Sequence, residues 1–248
     1  MKRHQTSFRI ENYLDAPATK RALNERLFTA IASEYPWVTV GLSLGRDALW
    51  KRRLVEALPS VETPVCVDLA CGTGDVARLL ARRFPEGTVI GLDLTKAMLE
   101  GATDLTREKN VRYEAADMMN TSLPAESADI VTGSYALRNA PDLEGAIAEI
   151  ARILRVGGYA GFLEFTRWPG RLSGRAELWL LRVWGGLWGM LLHRNAEIYG
   201  YIAESLRRFP TMTELTDLFQ AQGLRRIKTI PCLFGITSIL IVRKGSSA

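Results

Sequence analysis

Five short apolar runs alternate with segments of helical character through the middle of the chain. The runs occupy residues 64–70, 88–94, 111–117, 128–135 and 158–165. Strands that alternate with helices are typical of βαβ units and therefore of a parallel sheet. Continuous apolar character indicates strands covered on both faces, and the right-handed crossover rule places helices on both sides of the sheet. The sequence therefore predicts a doubly wound α/β domain.

The last third of the chain has a different pattern. Residues 174–208 are helical and tryptophan-rich in character, and residues 211–222 predict a further helix. Two apolar runs, 224–230 and 234–244, then lie on either side of Pro231. Their short separation predicts an antiparallel pair at one edge of a sheet that is otherwise mainly parallel.

The length of 248 residues and the apolar content of 47% are sufficient for one large domain with a substantial core. We predict a single domain over residues 20–248, preceded by a charged arm, 1–19, that we expect to be mobile. Helical segments at about 20–58 and 167–208 lie outside the alternating pattern. We expect these two segments to form caps on the domain, including a helical substrate lid.

Charge and composition narrow the classes of function. The net charge is +5, but no dense Lys/Arg run with interleaved aromatics is present, so no nucleic-acid partner is expected. Two histidines and three cysteines without metal-site spacing exclude a histidine-rich metal centre. The amino terminus has no secretory-signal pattern, and the most apolar stretch is too short to span a bilayer. We therefore expect a cytoplasmic protein.

The segment VDLACGTGD, between the first run and the following helix, has the composition of a ligand-binding loop. Gly72 and Gly74 permit a tight turn and a close approach of a ligand to the backbone. The helix that follows offers free N–H groups and the positive end of its dipole. In a doubly wound sheet, ligands bind outside the carboxyl ends of the strands, where this loop is expected to lie.

Two cofactors are compatible with these residues. The loop satisfies the dinucleotide pattern G-x-G-x-x-A, and Asp93 stands at the end of the second run, where a ribose-binding acid belongs. NAD is therefore an alternative. Asp68, just before the glycines, would lie unfavourably close to a pyrophosphate, but it suits the cationic amino group and sulfonium of S-adenosyl-L-methionine. A further acid, Asp117, ends the third run, where it could meet an adenine amino group.

Longer motifs carry a resemblance to a known family. DLACGTG looks like the first motif of class I methyltransferases. The stretch GSYALRNAPDLEGAIAEIARILRVGGYAGFLEF resembles the C-methyltransferase family of ubiquinone and menaquinone biosynthesis, which carries S-x-x-LRN, a helix ending in GG and a strand ending LEF. YGYIAESLRRFP, at 199–210, is similar to that family's YRYLAESI-x-x-FP. The resemblance extends from about residue 28 to residue 243.

The resemblance implies a Rossmann-like class I methyltransferase that uses S-adenosyl-L-methionine. The implied acceptor is a hydrophobic aromatic molecule, above all a polyprenylated quinol methylated at a ring carbon. Residues at the cofactor are expected to be Asp68, Gly72, Thr73, Gly74, Asp93, Leu94, Asp117, Met118 and Ser134. Residues at the acceptor are expected to be Arg138, Asn139 and Tyr201 as catalytic groups, with Tyr35 and Tyr199 in the substrate pocket.

Arg138 is a poor general base because the pKa of a guanidinium is above about 12. Our hypothesis is that Arg138 stabilises a developing aryloxide, with Asn139 holding it in place. The alternative is an arginine held in an ion pair at a strand end. In-line methyl transfer requires positioning and exclusion of water, and no covalent enzyme nucleophile.

Two segments depart from the family's pattern. These are PWVTVGLS, which follows Tyr35, and LWLLRVWGGLWG in the tryptophan-rich segment. Both would shape the acceptor pocket and its entrance. A methyltransferase, O- or C-, that acts on another small hydrophobic molecule is therefore an alternative. So is a protein that binds S-adenosyl-L-methionine without methylating anything.

The apolar segment around Trp179 has two interpretations. It is either a helix packed on the core or an interfacial helix that admits a lipid-like substrate. In the second case Arg175, Arg182 and Arg194 would face anionic headgroups at the inner face of the membrane. A homodimer is a further arrangement that the sequence leaves open.

Overall fold

The computed structural model describes residues 17–31, 39–41, 43–168, 170–193 and 197–246. Within these ranges one seven-stranded sheet forms the centre of the molecule. Its strands are β1 Val65–Leu69, β2 Thr88–Asp93, β3 Val111–Ala115, β4 Ala128–Ser134, β5 Leu154–Phe165, β6 Leu224–Cys232 and β7 Thr237–Lys244. Eight longer helices accompany them in the described chain: α1 Pro17–Ile31, α2 Asp47–Glu56, α3 Asp75–Arg83, α4 Lys96–Leu105, α5 Leu143–Ile153, α6 Arg171–His193, α7 Glu197–Arg208 and α8 Met212–Ala221.

The strand order is β3-β2-β1-β4-β5-β7-β6. The first five strands in this order pair in parallel, while β7 pairs antiparallel with both β5 and β6. The doubly wound, mainly parallel sheet with an antiparallel edge pair is therefore confirmed. Strands are added outward from β1 to β3 on one side, and the chain then returns to add β4 on the other side of β1. In open α/β sheets this reversal of strand order opens a crevice at the carboxyl ends of the strands.

Apolar side chains cover both faces of the sheet. On one face Leu206, Leu215 and Phe219 from α7 and α8 join residues of α5 and the strands, and the Phe219 ring stacks on Phe162 with centroids 5.3 Å apart. On the other face Trp50 and Leu54 from α2 pack with residues of α3. Burial on both faces explains the largely apolar sequences of β1, β2 and β4, whereas the edge strand β3 carries exposed Arg112 and Glu114.

The two helices of the segment expected to form a cap over 20–58 lie in different parts of the molecule. Helix α1 begins at Pro17, inside the expected arm, and residues 1–16 lie outside the described residues. A proline is favoured at the first position of a helix, where no N–H donor is needed. Helix α2 packs against the sheet, since a Cβ added to Gly161 of β5 would lie 3.0 Å from Leu54. The cap expected over 20–58 thus contains one helix that belongs to the sheet's own packing layer.

The tryptophan-rich region contains two helices, α6 and α7, separated by residues 194–196, which are not described. No helix among the described residues has both the length and the apolar character needed to cross a membrane.

Strand β6 forms one edge of the sheet, and its outer residues are polar. Arg225, Arg226 and Lys228 are exposed, and the pairing with β7 shifts register between Arg226 and Lys228. Pro231 also lies in this strand. Proline is tolerated there because an edge strand does not need every N–H donor.

Candidate active site

A cavity opens at the carboxyl ends of β1 to β4, where the strand order reverses. Its volume is about 740 Å³, including the open mouth. The predicted site residues that line it are Gly72, Asp93, Leu94, Asp117, Met118, Ser134 and Asn139. Further lining residues are Arg21, Asn24, Glu25, Phe28, Ala70, Thr95, Met98, Ala116, Tyr135 and Pro141.

The loop after β1 exposes backbone to this cavity. Gly72 has a φ of 54° and lines the cavity, and its N–H donates to Asp93 Oδ2 at 2.8 Å. The preceding residue, Cys71, donates its N–H to the carbonyl oxygen of Leu92 at 2.9 Å. The loop is therefore fixed to the end of β2, with an open backbone surface beside it.

Gly74 lies behind the cavity wall, and its contact with a cofactor stays a prediction. It adopts a φ of 78° as the N-cap of α3 and is not among the residues that line the cavity. A Cβ at Gly74 would collide with the Tyr113 hydroxyl, and a Cβ at Gly91 would lie 2.5 Å from the Tyr113 ring. Both glycines therefore make room for a tyrosine of β3, whereas Gly72 lines the cavity.

Asp93 ends β2 with both carboxylate oxygens engaged. Oδ2 accepts the Gly72 N–H and Oδ1 accepts the Thr95 N–H, each at 2.8 Å. Burial raises the pKa of Asp93 above its usual value, and the backbone hydrogen bonds act in the opposite direction. The remaining lone pairs of a carboxylate in this position are suited to ligand hydroxyl groups.

Asp117 and Met118 follow β3 at the other side of the cavity. Asp117 Oδ1 accepts the Met119 N–H at 2.9 Å, and Oδ2 forms an ion pair with Arg21 Nη1 at 2.9 Å. The Arg21 side chain is 48% exposed. An ion pair of this kind contributes little free energy, so a ligand amino group can compete for the carboxylate.

The end of β4 contributes Ser134 and Tyr135. The Ser134 hydroxyl is buried in the cavity wall and has no hydrogen-bond partner among the described residues. Tyr135 adopts a φ of 57°, and its hydroxyl donates to Asp47 Oδ1 at 3.0 Å. A buried hydroxyl without a partner costs free energy that a bound ligand would recover.

Asp68 and Thr73 lie behind the lining. Asp68 is 1% exposed, accepts a hydrogen bond from Thr132 Oγ1 at 2.7 Å, and has its pKa raised to about 7 by burial. Thr73 is also buried, and its carbonyl oxygen accepts Arg78 Nη1 at 2.6 Å. Neither residue is part of the cavity wall, so direct contact of either with a cofactor stays a prediction.

The side chains of Arg138 and Asn139 point in different directions although the two residues are adjacent. Asn139 lines the cavity and donates from Nδ2 to the Tyr135 carbonyl oxygen at 2.8 Å. Arg138 is 5% exposed and is not in the wall; its guanidinium donates to Ser205 Oγ of α7 and lies 5.5 Å from the Phe165 ring centroid. Arg138 therefore lies behind the wall of this cavity, and its role as a catalytic group stays a prediction.

Glu164 was not singled out by sequence reasoning, although it is the central residue of the LEF motif. Its Oε1 accepts the Leu137 N–H at 2.6 Å, directly before Arg138. Burial raises the pKa of Glu164 to about 7, and the charge of Arg138 opposes that shift. Glu164 thus holds the turn that carries Arg138 and Asn139.

The expected pocket tyrosines lie mostly beyond what can be described. Tyr35 lies outside the described residues. Tyr199 and Tyr201 belong to α7, which also carries Ser205, the partner of Arg138. Their assignment to the acceptor pocket stays a prediction.

Helix α1 covers part of the cavity, and the residues with which it does so were not identified from the sequence. Arg21, Asn24 and Phe28 contribute to the lining, and Asn24 Nδ2 donates to the Asn139 carbonyl oxygen at 2.7 Å. Lys20 Nζ donates to the carbonyl oxygens of Arg138 and Ala140 at 3.1 and 2.5 Å. The helical spacing of 21, 24 and 28 was visible in the sequence, but nothing in it identified the face that would cover a ligand.

The lining suits S-adenosyl-L-methionine. Carboxylates at the ends of β2 and β3 match ribose hydroxyls and an adenine amino group, and Leu94, Met98 and Met118 offer apolar surface for the adenine. The partnerless Ser134 hydroxyl and the backbone of Gly72 are available to the polar remainder. A dinucleotide is a poorer match, since Asp68 lies beneath the loop that would have to hold a pyrophosphate.

Comparison with known proteins gives a consistent result. The model of the ubiE/COQ5 methyltransferase family matches residues 17–244. A 2-phytyl-1,4-naphtoquinone methyltransferase of Thermosynechococcus vestitus is 32% identical over 222 residues, which cover 89% of this chain and 98% of that protein. A ubiquinone/menaquinone biosynthesis C-methyltransferase of Xylella fastidiosa is 33% identical and is covered over 85% of both chains.

Solved structures agree at the level of the fold. A phosphoethanolamine N-methyltransferase of Haemonchus contortus, in complex with S-adenosylhomocysteine, superposes with a TM-score of 0.66 at 14% identity. The match covers 88% of this chain and 58% of that one. The described sheet therefore has the class I methyltransferase fold.

Proposed function

We propose that this chain, which belongs to the ubiE/COQ5 methyltransferase family and is therefore an S-adenosyl-L-methionine-dependent methyltransferase, methylates a ring carbon of a polyprenylated quinol in ubiquinone or menaquinone biosynthesis. The observation that carries the proposal is the match to that family over residues 17–244. The names of the relatives, one a phytyl-naphthoquinone methyltransferase and one a ubiquinone/menaquinone C-methyltransferase, support a prenylated quinol as the acceptor.

The proposed cofactor site uses the wall formed by the strand ends. Asp93 would hold the ribose hydroxyls and Asp117 the adenine amino group, with Leu94 and Met118 against the adenine. Ser134 and the Gly72 backbone would receive the polar end of the molecule. When bound, S-adenosyl-L-methionine supplies a methyl group that its sulfonium already activates. Asp68 and Thr73 would act from beneath, by supporting the loop.

The proposed acceptor side is the wall formed by Asn139, Tyr135 and α1. Asn139 lines the cavity and donates from its amide to the Tyr135 carbonyl oxygen, so this amide would lie beside a ring oxygen of the acceptor. Arg138 lies behind this wall. Its positive charge would stabilise a ring aryloxide through its electric field, and Arg138 would also hold Asn139 in place. Preorganised charge of this kind is effective because it needs no reorganisation during the reaction. Tyr201, with Tyr35 and Tyr199, is proposed to complete this side on the strength of the family's motif.

The direct test is transfer of labelled methyl from S-adenosyl-L-methionine to a panel of chemically reduced acceptors. The panel holds prenylated naphthoquinols, prenylated methoxybenzoquinols and simple phenols. We expect label on a quinol ring carbon, with mass spectrometry identifying which ring. Cofactor binding without transfer to any quinol would reject the proposal.

A second candidate is an O- or C-methyltransferase that acts on another small hydrophobic molecule. It is favoured by the segments PWVTVGLS and LWLLRVWGGLWG, which depart from the family's pattern where the acceptor pocket is expected. In the same panel, this candidate predicts label on a phenol oxygen or on a non-prenylated ring.

A further inference from the structure

Helix α6 has apolar side chains on two opposite sides. Its inner side packs on the molecule: Leu178 and Leu181 contact the core, and a Cβ added to Gly41 would lie 2.9 Å from the Trp188 ring. Its outer side is also apolar and is exposed. We call this the α6 outer face, and it consists of Leu172, Trp179, Leu180, Val183, Leu187 and Met190.

The exposure of the α6 outer face is large for side chains of this kind. Leu172 is 83% exposed and Trp179 is 67% exposed. The spacing of 172, 179, 183, 187 and 190 places these residues along one stripe of the helix. Scattered apolar residues on a surface are ordinary, but a continuous stripe marks a surface that another molecule covers.

The charges on α6 identify the kind of molecule. Arg175 and Arg182 are exposed and lie seven residues, about two turns, apart, so both border the same flank of the stripe. The single acidic residue of α6 is Glu177, which is fully buried and accepts the Trp168 N–H at 2.7 Å. The exposed part of this helix is therefore apolar with a positive border and carries no exposed carboxylate.

A second apolar feature lies beside the start of α6. Phe234 is 94% exposed, in the turn that joins β6 to β7. This turn adjoins the chain that leads into α6, because the Thr166 N–H donates to the Ile236 carbonyl oxygen at 2.9 Å. Since β7 runs antiparallel to β5, the turn lies at the carboxyl end of β5, which is the edge of the sheet that holds the cavity.

We propose that the α6 outer face, with Phe234, docks the protein on an anionic lipid surface. A helix that presents apolar residues flanked by arginines lies in the plane of such a surface, with its apolar side in the acyl boundary and its cations at the phosphates. The charge pattern favours this occupant over a second copy of the chain. A two-fold contact brings identical patches together, and this helix has no exposed carboxylate to meet the partner's arginines.

The inference is independent of the acceptor, so it is tested with vesicles that contain no quinone. Co-sedimentation compares phosphatidylcholine vesicles with vesicles that also contain phosphatidylglycerol. We expect binding to the mixed vesicles that weakens as salt is raised. The charge variant Arg175→Gln/Arg182→Gln should lower this binding roughly tenfold or more. Its matched control is Arg225→Gln/Arg226→Gln on β6, which changes the net charge equally and should bind as the wild type does.

The apolar variant is Trp179→Ser/Val183→Ser, with Val156→Ser/Ile227→Ser as the control of equally exposed residues elsewhere. All four positions are at the surface, and thermal melting checks that each variant folds. Independently, lipids with brominated acyl chains should quench wild-type tryptophan fluorescence, and Trp179→Phe should remove part of that quenching. The proposal is overturned if the wild type does not bind mixed vesicles, or if the control pairs lose as much binding as the face variants. Sedimentation velocity that shows dimers sensitive to the α6 outer face, with no vesicle binding, would assign the face to a second copy instead.

Discussion

The two walls of the cavity are built in different ways. The cofactor wall consists of residues at the ends of consecutive strands, and its key carboxylate, Asp93, is held by two backbone N–H groups close to it in the fold. The acceptor wall depends on side chains that reach across the chain. Lys20 donates to the Arg138 carbonyl oxygen over a separation of 118 residues, and Arg138 reaches Ser205 over 67.

A buried carboxyl group nevertheless lies beneath each wall. Asp68 supports the cofactor side and Glu164 the acceptor side, and burial raises the pKa of each to about 7. The comparison teaches that the cofactor wall follows from the path of the backbone, whereas the acceptor wall requires that several distant helices be correctly docked. We therefore expect substitutions at the acceptor wall to affect stability as well as turnover.

The largest effect is expected for Arg138→Ala. Removing the buried guanidinium takes away its hydrogen bond to Ser205 and leaves a cavity behind the wall, which should lower the free energy of unfolding by about 2–5 kcal/mol. Turnover should fall while the affinity for S-adenosyl-L-methionine changes little, because Arg138 is not in the cofactor wall. Urea unfolding, calorimetric binding and kinetics measure the three quantities.

The control for Arg138 is Arg155→Ala. Arg155 pairs with Asp129 and its side chain is 47% exposed, so its loss should cost at most about 1 kcal/mol. Arg138→Lys should recover part of the turnover if charge is what matters. Unaltered turnover in Arg138→Ala would remove Arg138 from the mechanism.

The next effect tests the cofactor wall alone. In Asp93→Asn one carboxylate oxygen becomes an NH₂ group, which cannot accept the Gly72 or Thr95 N–H. The carboxamide also carries no negative charge toward the ligand, and a ligand hydrogen bond to a charged group contributes about 1.5–3 kcal/mol, so affinity for S-adenosylhomocysteine should fall roughly tenfold to a hundredfold. Asp104→Asn, at an exposed position of α4, is the control in titration calorimetry. Equal affinities for the two variants would argue against Asp93 as a cofactor ligand.

The glycines at 74 and 223 separate the cost of backbone strain from the cost of packing. Gly74 and Gly223 have φ values of 78° and 75°, but only at Gly74 would a Cβ meet another residue, Tyr113. Gly223→Ala should cost about 1 kcal/mol of unfolding free energy from conformation alone, and Gly74→Ala about twice that. Similar losses measured by thermal unfolding would show that Tyr113 yields easily and does not fix the loop.

A further effect concerns the dependence of stability on pH. The ordinary pKa values of Asp68 and Glu164 are 3.8 and 4.5, and both are raised to about 7 in the folded protein. The folded state then binds these protons more tightly than the unfolded state, so each group's contribution to stability is lost as pH rises from about 4 to about 7. The slope is at most about 1.4 kcal/mol per pH unit for each group. Asp68→Asn and Glu164→Gln should each make urea stability less dependent on pH, and a variant without this effect would exclude its carboxyl as a contributor.

The sequence was sufficient for the sheet and much of the cofactor wall because their signals are local. Apolar runs, glycines and acids at strand ends repeat along the chain, and parallel strands bring their ends together. The antiparallel pair of β6 and β7 was predictable for the same reason, although its turn lies at Leu233–Gly235 and Pro231 lies within β6. The directions of the side chains could not be predicted. The LRN motif identified Arg138 and Asn139, but adjacent side chains point in different directions in a tight turn. Only the docking of Arg138 against Ser205 and Phe165 decides which of the two reaches the cavity.

The residues of α1 that line the cavity, and the contact of Tyr113 with Gly74, were missed for a related reason. A helical pattern identifies an apolar face, but the residues that cover a ligand, such as Arg21 and Asn24, are polar and resemble solvent-exposed positions. The clash that requires glycine at position 74 comes from Tyr113, which lies on another strand 39 residues later in the sequence. Contacts of this kind depend on the assembled sheet and leave no periodic trace.

The edge strand β6 has a consequence for the protein at high concentration. An unpaired edge is a template on which strands of other molecules can add, and this leads to fibrous aggregates. The exposed cations Arg225, Arg226 and Lys228, the shifted register and Pro231 make this edge a poor template. The sheet can therefore terminate in solvent without a covering helix, and chains that meet there in a crowded cell repel one another instead of joining their sheets.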